Sequence, residues 1–515
     1  MRPRLAFLKW TALVLAVVFL LAGVLAAELR WFSPLNRDWV VKGLARRYQS
    51  SVELKSFRSS LFPTISIAGE GLVLRRRDRP SLPPLASIDR FSVEASWFGL
   101  LAASKRLRRV QLEGLVINVP PRGAPKSGRL SKRRREIPPF VLDEVLADGT
   151  RLNILSGTPR KPPLAFEIEK LRLRSAGPGQ SMVFEAILTN PKPIGQIQTS
   201  GNFGPWNADD PSQTPVSGRY SFRDADLATI RGLAGILSSE GTYGGALNAI
   251  QVQGETDTPD FALGISGRPV HLTTQFSALV DGTTGGTFLR PVTARIQQST
   301  IVARGGISKA SGEPGRIILL DVSAKPARLE DLLPLAIKSG ESPLVGGVTI
   351  GAELGLYPGS EDIARRLKLD GDFQIESARF TAAETEQKIT HLSQVGEGKG
   401  KAQDIKDVAL DLQGRFALKQ GVATFSSLSF SVPGASVRLR GTFDLISEAL
   451  DFEGDLLLQA KVSQMTTGVK SILLKPVDPF FEGQGAGTVL PIKITGTKNQ
   501  PSFRLEIGKV MKREQ

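Results

Sequence analysis

Apolar and polar residues alternate with a period of two along most of the chain from Ser51 onward. Val52 and Leu54, Ile65 and Ile67, Leu72 and Leu74, then Phe91, Val93 and Ala95 each place apolar side chains on one side of an extended segment. Val110 with Leu112, and Leu115 with Ile117 and Val119, continue the pattern. Each run is short and bounded by Gly, Pro or charge, which predicts strands with one apolar and one polar face. The pattern resumes at Phe166 and Ile168, Leu171 and Leu173, and Phe184 to Leu188. It is clearest from Val408 to Leu458, where Val408, Leu410 and Leu412 lead to Phe416 and Leu418. A turn at Gly421 leads on to Leu428 and Phe430, and a Pro433-Gly434 turn to Val437 and Leu439. Long crossover helices are lacking, so the strands are expected to be antiparallel.

Helical periodicity is confined to a few places. Val40, Leu44 and Tyr48 recur at i, i+4 and i+8 behind Asn36 and Asp38, and predict a short amphipathic helix. Segments at 225–241, 329–340 and 466–487 read as strand, short helix, Gly-rich turn and strand, a weak internal repeat. Residues 120–139 are rich in Pro, Gly and Arg, have no apolar period, and read as a long loop.

One stretch differs from all others. Trp10 to Ala27 is uncharged and apolar, and with Leu5 to Leu8 it is long enough to cross a bilayer. Lys9 would snorkel to the interface. Arg2, Arg4 and Lys9 precede the run, which predicts a cytoplasmic N-terminus and an exported body. Val24-Leu25-Ala26 also resembles a small-residue cleavage site, so removal as a signal peptide stays open.

Charge sharpens this picture. The net charge is +16, and residues 30–136 carry nearly all of it, with 23 Lys and Arg against 8 Asp and Glu. Beside an anchor, such a region suits anionic headgroups rather than nucleic acid, with a solvated face of positive residues between strands as the alternative. Arg46, Arg47, Lys132, Arg133, Arg134 and Arg135 are the candidate headgroup-facing residues. The chain has no Cys, which excludes disulfides, a thiol nucleophile and a thiolate metal site.

Signs of catalysis are sparse. His271 and His391 have no ligand-spaced partner. Phosphate-loop, zinc-protease, nucleophile-elbow and calcium-loop motifs are absent. The adjacent carboxylates Asp209-Asp210 and Glu330-Asp331 suit a loop and a helix start. The expectation is a protein that is not an enzyme and binds no cofactor or metal.

The run SVELKSFRSSLFPTISIAGEGLVLR (51–75), with Leu61-Phe62-Pro63 at its turn, follows the anchor and the short helix. Later come GNFGPW (201–206), TDTPDF (256–261), VPGASVRLRGTFDL (432–445) and GAGTVLPIKITGTKNQPSF (485–503). In these features the chain resembles the AsmA-like family of inner-membrane-anchored periplasmic proteins. The resemblance implies an elongated, taco-like β-groove of the bridge-like lipid transfer type, supporting phospholipid traffic between the membranes of a diderm bacterium. It carries over no catalytic residue.

The expected fold is therefore mainly β: an N-terminal transmembrane helix, then a curled antiparallel sheet forming a groove, with a few short helices. The expected divisions are 1–29 (cytoplasmic tip and anchor), 30–119 (basic membrane-proximal β region), 120–139 (loop) and 140–512 (groove). The bacterial inner membrane holds the anchor in a single pass, and the periplasm holds the body. Expected partners are the membrane, phospholipid or another acyl-chain lipid, and envelope proteins. Candidate groove-lining residues are Val52, Leu54, Ile65, Ile67, Leu72, Leu74, Val110, Leu112, Val408, Leu410, Leu412, Phe416, Leu418, Leu428, Phe430, Val437 and Leu439. An envelope assembly factor, binding protein through sheet edges and the 120–139 loop, is the alternative. A convergent carboxylate pair would instead indicate a hydrolase.

Overall fold

A computed structural model describes residues 37–505 apart from 49, 62–63, 77–82, 102–104, 120–139, 156–162, 178, 208–209, 265, 310–315, 336, 338–341, 343, 360, 362, 382–386, 388–389, 391–392, 395–396, 398–409, 460–487 and 498–499. The expected anchor, the basic run Lys132–Arg135, His391, Val408, Asp209 and the third short helix all lie outside the described residues. Among the described residues, no helix is long and apolar enough to cross a membrane.

The protein is mainly β with a mixed, not purely antiparallel, strand arrangement. It divides into two compact units. The first comprises Met1–Ile230, Ile236–Thr256 and Ser277–Thr287; the second comprises Arg231–Gly235, Asp257–Phe276 and Phe288–Gln515.

Unit 1 begins with helix α1 (Arg37–Tyr48). Its strands are β1 (Ser50–Glu53), β2 (Ser56–Ser60), β3 (Ile65–Arg76), β4 (Ala86–Ala95), β5 (Lys105–Glu113), β6 (Val116–Val119), β7 (Phe140–Ile154), β8 (Leu164–Ala176), β9 (Met182–Pro191), β10 (Ile194–Phe203) and β11 (Pro215–Asp226). A second short helix, α2 (Trp97–Leu101), joins β4 to β5. The short β12 (Leu233–Ala234) belongs to unit 2, and β13 (Ile236–Ala246) returns to unit 1 and pairs with β11.

The apolar parity of unit 1 is closed. Ile65, Ile67, Leu72, Leu74, Val110 and Leu112 are each less than 5 % exposed, in one core with Leu142, Leu152, Phe166 and Leu188. Helix α1 adds Val40 and Leu44 to this core, as its i, i+4 spacing predicts. Arg37 fixes the helix start by donating from Nε (3.0 Å) and Nη2 (2.6 Å) to the Leu54 carbonyl oxygen.

Antiparallel pairing fails at one place. Both β5 and β6 run parallel to β7, with Val110 opposite Val145 and Ile117 opposite Leu152. A parallel pair needs a dozen or more connecting residues. The connection here, residues 120–139, is long enough for that. On the outer face Glu144 of β7 joins the neighbouring strands. It accepts from Arg109 Nε of β5 (3.0 Å) and from Arg172 of β8 (2.9 and 2.6 Å). The hydrogen bond from Arg172, helped by Arg109 and opposed by burial, holds the Glu144 carboxyl below its usual pKa.

Unit 2 includes parts of β14 (Ala249–Leu263), β15 (Val270–Val280) and β16 (Thr287–Ile296). It continues with β17 (Ser299–Lys309), β18 (Arg316–Arg328), β19 (Leu344–Leu356), β20 (Leu367–Phe380), β21 (Leu410–Lys419), β22 (Val422–Val432), β23 (Ala435–Asp444), β24 (Ala449–Leu458), β25 (Thr488–Thr497) and β26 (Gln500–Leu505). From β17 to β26 each strand pairs antiparallel with the next. The two expected turns are present. Gln420 and Gly421 both have positive φ (54° and 83°), as a type I′ hairpin requires, and Gly434 (φ 78°) follows Pro433 as in a type II turn.

The helix expected at 225–241 is not formed. A 3-10 turn, Leu227–Thr229, is capped by Asp226, whose side chain accepts from Ala228 N–H (2.9 Å). The chain then enters β12 and β13 through Gly232 and Gly235, both at positive φ, which no helix accommodates. At 329–340 the helix is cut to α3 (Leu329–Leu332) and a 3-10 turn, Leu333–Leu335, that contains the helix breaker Pro334. A fourth helix, α4 (Ile363–Arg366), is a single turn before β20. What recurs is the corner itself: a bulge followed by a buried alanine, at Ala225, Ala327 and Ala378.

Two outcomes test this description. Leu44→Ala should cost unit 1 about 2–5 kcal/mol by leaving a cavity under α1, measured by chemical denaturation. Glu144→Gln should cost roughly 1 kcal/mol at pH 7, given the exposure of both arginines. Because the folded-state pKa of Glu144 is depressed, its contribution is complete above about pH 4.5 and disappears as the pH falls below it. The wild type and Glu144→Gln should therefore converge in stability in acid.

Candidate functional site: an apolar face of rings and glycines

Register fixes which side chains share the inner face of unit 2. One cross-strand row runs Val322, Ala352, Gly371, Phe416, Phe425, Gly441, Phe452 and Ile494. The next runs Ala324, Ile350, Phe373, Gly414, Leu428, Leu439, Gly454 and Ile492. A third runs Ala327, Val348, Ile375, Leu412, Phe430, Val437, Leu456 and Leu490. Every position in these rows is apolar or glycine. The opposite parity carries Arg304, Asp321, Glu353 and Asp370 in register, and the Arg440–Glu453 ion pair (2.8 Å).

Among the described residues, this face is sealed at one margin. There α3 and the 3-10 turn lay Leu329, Leu332 and Leu333 against Val348, Ile375 and Ala378. Elsewhere Leu412, Phe416, Leu428, Phe430 and Leu439 are half-buried, although they project from the apolar parity. Leu410, Leu418 and Val437 are buried. The two expected groups of lining residues therefore differ. Those of unit 1, from Leu54 to Leu112, sit in a closed core with Val52 half-buried beside it. Those of unit 2 line a face that no second layer covers among the described residues. Arg46 and Arg47 fall within α1.

Glycines let neighbouring strands approach closely on this face. A Cβ built on Gly371 would stand 2.3 Å from the Gly351 carbonyl oxygen, and one on Gly454 would stand 1.8 Å from that of Arg438. Bending a sheet toward one face crowds the Cβ atoms there, and glycine relieves the crowding. Aromatic rings then cover the bare backbone, as in designed curved sheets. Phe373 lies on Gly414 and Phe452 on Gly441, each within 2.9 Å of the absent Cβ. The rings also touch one another: Phe373–Phe416, Phe416–Phe425 and Phe425–Phe452 have centroids 6.2, 6.5 and 5.7 Å apart.

The sequence does carry a signal for these residues: the triplets GDF (371–373), GRF (414–416), GTF (441–443) and, reversed, FEG (452–454). Period-two reading counts only apolar positions, so it misses Phe373, Phe425 and Phe452 as a set and treats the glycines as breaks. The same triplet occurs in unit 1 as GNF (201–203), GRY (218–220) and GTY (241–243). There the inner face turns polar: Thr199 Oγ1 lies 2.8 Å from Tyr243 Oη, and Tyr220 Oη lies 3.2 Å from Ser239 Oγ. Burial raises the Tyr243 pKa despite its contact with Thr199.

The candidate catalytic groups have structural positions. Asp331 Oδ2 accepts from Gln298 N–H (3.0 Å) and Ser299 Oγ (2.8 Å), which fastens α3 to the β16–β17 turn. Glu330 accepts from Gly346 N–H (3.1 Å) and from Arg328. Asp210 accepts from Ser212 within its own turn. His271 pairs with Asp257 (2.5 Å) on an exposed surface. Among the described residues, no group of three or more His, Cys, Asp or Glu converges as a metal site.

Comparison with protein-family models, curated proteins and solved structures finds no match.

Gly454→Ala should lower stability by about 1–3 kcal/mol, because its Cβ meets backbone rather than a mobile side chain. Gly286→Ala, whose Cβ meets only Thr284 Oγ1 at 3.5 Å, should change stability by less than about 0.5 kcal/mol. Thermal melts of the two variants make the comparison.

Proposed function

We propose that this protein is a non-enzymatic lipid-binding and lipid-transfer protein, and that the inner face of unit 2 holds the acyl chains. One observation carries the reading: from β18 to β25 three successive cross-strand rows are apolar or glycine at every position, yet half-buried over much of their length. Water against such a face is costly, and each methylene of a lipid tail that replaces it gains about 0.8 kcal/mol. A row of rings and aliphatic side chains offers no hydrogen bond to select among tails, which suits a carrier of many phospholipids.

The apolar run 5–27 would anchor the chain in the inner membrane of a diderm bacterium, with the body in the periplasm, supporting phospholipid traffic and outer-membrane homeostasis. The AsmA-like resemblance supports this placement. The described residues offer no nucleotide-binding motif in sequence, so a directional flow would draw its energy from another protein.

A photoreactive amino acid at Leu439 should capture phospholipid in growing cells, and one at the adjacent outward Arg438 should not. Leu412→Asp should reduce capture at Leu439 by roughly tenfold or more, because a carboxylate on this face has no partner. Equal capture at Leu439 and Arg438, or none at either, overturns the proposal.

A further inference from the structure

Unit 1 exposes large apolar side chains at one end of its sheet. Phe98 is 89 % exposed, Leu61 54 % and Trp97 38 %. Register brings them together. Ser60 pairs with Ser66, and Ile65 pairs with Ala95, so the β2–β3 turn and the β4–β5 connection leave the same end of neighbouring strands. Helix α2 is held in place there. Ser96 Oγ accepts from Gly99 N–H (3.0 Å), and a Cβ on Gly99 would stand 2.8 Å from the Arg106 carbonyl oxygen. That close seat on β5 turns Trp97 and Phe98 away from the core. Exposed Arg58 and Arg108 stand on the strands just behind this tip, beside Arg106, which pairs with Asp143 (3.1 Å). Such a patch is uncommon on a soluble surface, where large exposed aromatics mark an interaction site.

We infer that this tip is a membrane-contact device: Leu61, Trp97 and Phe98 enter the interfacial layer of an anionic bilayer while the arginines behind them meet its headgroups. Aromatic rings favour the headgroup level, and basic residues within a Debye length of the surface reinforce them. A protein partner would need shape as well; a bilayer needs only this order of apolar tip and positive collar. The length of chain also fits. Residues 28–36 reach at most about 30 Å when extended. From Lys55, beside the α1 attachment, β2 carries the chain roughly 20 Å to Leu61. A bilayer holding the apolar run 10–27 therefore lies within reach of the tip. The inference needs the membrane anchor but not the trough, and it survives if unit 2 carries no lipid.

The absence of cysteine makes a direct test possible. The full chain bearing Phe98→Cys, labelled with an environment-sensitive fluorophore, is reconstituted with vesicles of phosphatidylcholine and phosphatidylglycerol. Asp89→Cys, toward the other end of β4, is the matched control. Emission at 98 should shift to the blue and be quenched by lipids with a nitroxide on the acyl chain, while emission at 89 stays as in buffer. Arg108→Glu, or vesicles of phosphatidylcholine alone, should reduce the quenching at 98. Equal quenching at both positions overturns the inference, as does a blue shift at 98 without nitroxide quenching, which marks a protein contact instead. Lipid capture at Leu439 is read separately, so the two proposals fail independently.

Discussion

A sheet that bends toward its own apolar face must find room for the side chains it brings together. That constraint organises the chain more than any single contact. On the inside of the bend, neighbouring backbones approach so closely that a β-carbon at Gly371 or Gly454 would overlap a carbonyl oxygen. Glycine opens the bend, and a ring from the adjacent strand closes the gap it leaves. Phe373 over Gly414 and Phe452 over Gly441 are two instances of one rule. Register makes the rule possible, because a slip of one residue would turn every ring outward and every charge inward.

The two units apply this rule to different ends. In unit 1, Val40 and Leu44 of α1 join leucines, valines and a few phenylalanines in a conventional core. In unit 2 the strands keep the same parity, and among the described residues α3 covers one margin. The difference does not come from hydrophobicity, which is similar in both. It comes from what lies opposite each face. Charge follows the same division of labour. Arginines and carboxylates are confined to the outer parity, where pairs such as Arg440–Glu453 and the Arg109–Glu144–Arg172 group link strands without entering the interior.

Much of this was legible in the sequence, because strand parity is a local property. The alternation Leu410, Leu412, Phe416 and Leu418 and the turns at Gly421 and Pro433-Gly434 identify β21 to β23 almost residue by residue. The failures have physical causes. Leu227 to Leu237 has helical spacing, but two glycines at positive φ and a capped 3-10 turn divert it into strand. The parallel junction of β5, β6 and β7 was hidden because alternation records which face a side chain takes, not which strand lies beside it. Nor could alternation distinguish Ile67, which is sealed, from Leu439, which is half-buried. That distinction depends on what packs opposite each face, which alternation within a strand does not record.

From β18 to β25, each strand is bonded to the strands just before and after it in the chain. Such an arrangement behaves as a line of units with nearest-neighbour coupling, not as a globule with one shared nucleus. Its cohesion is additive, so a hairpin gained or lost at the end changes the length of the apolar face without disturbing the interior it leaves behind. Growth by repetition is therefore inexpensive for this fold, and the span of the face is an evolutionary variable set by the number of hairpins. The corresponding weakness is at an edge: among the described residues β26 pairs with β25 alone, and such a zipper opens from its last strand.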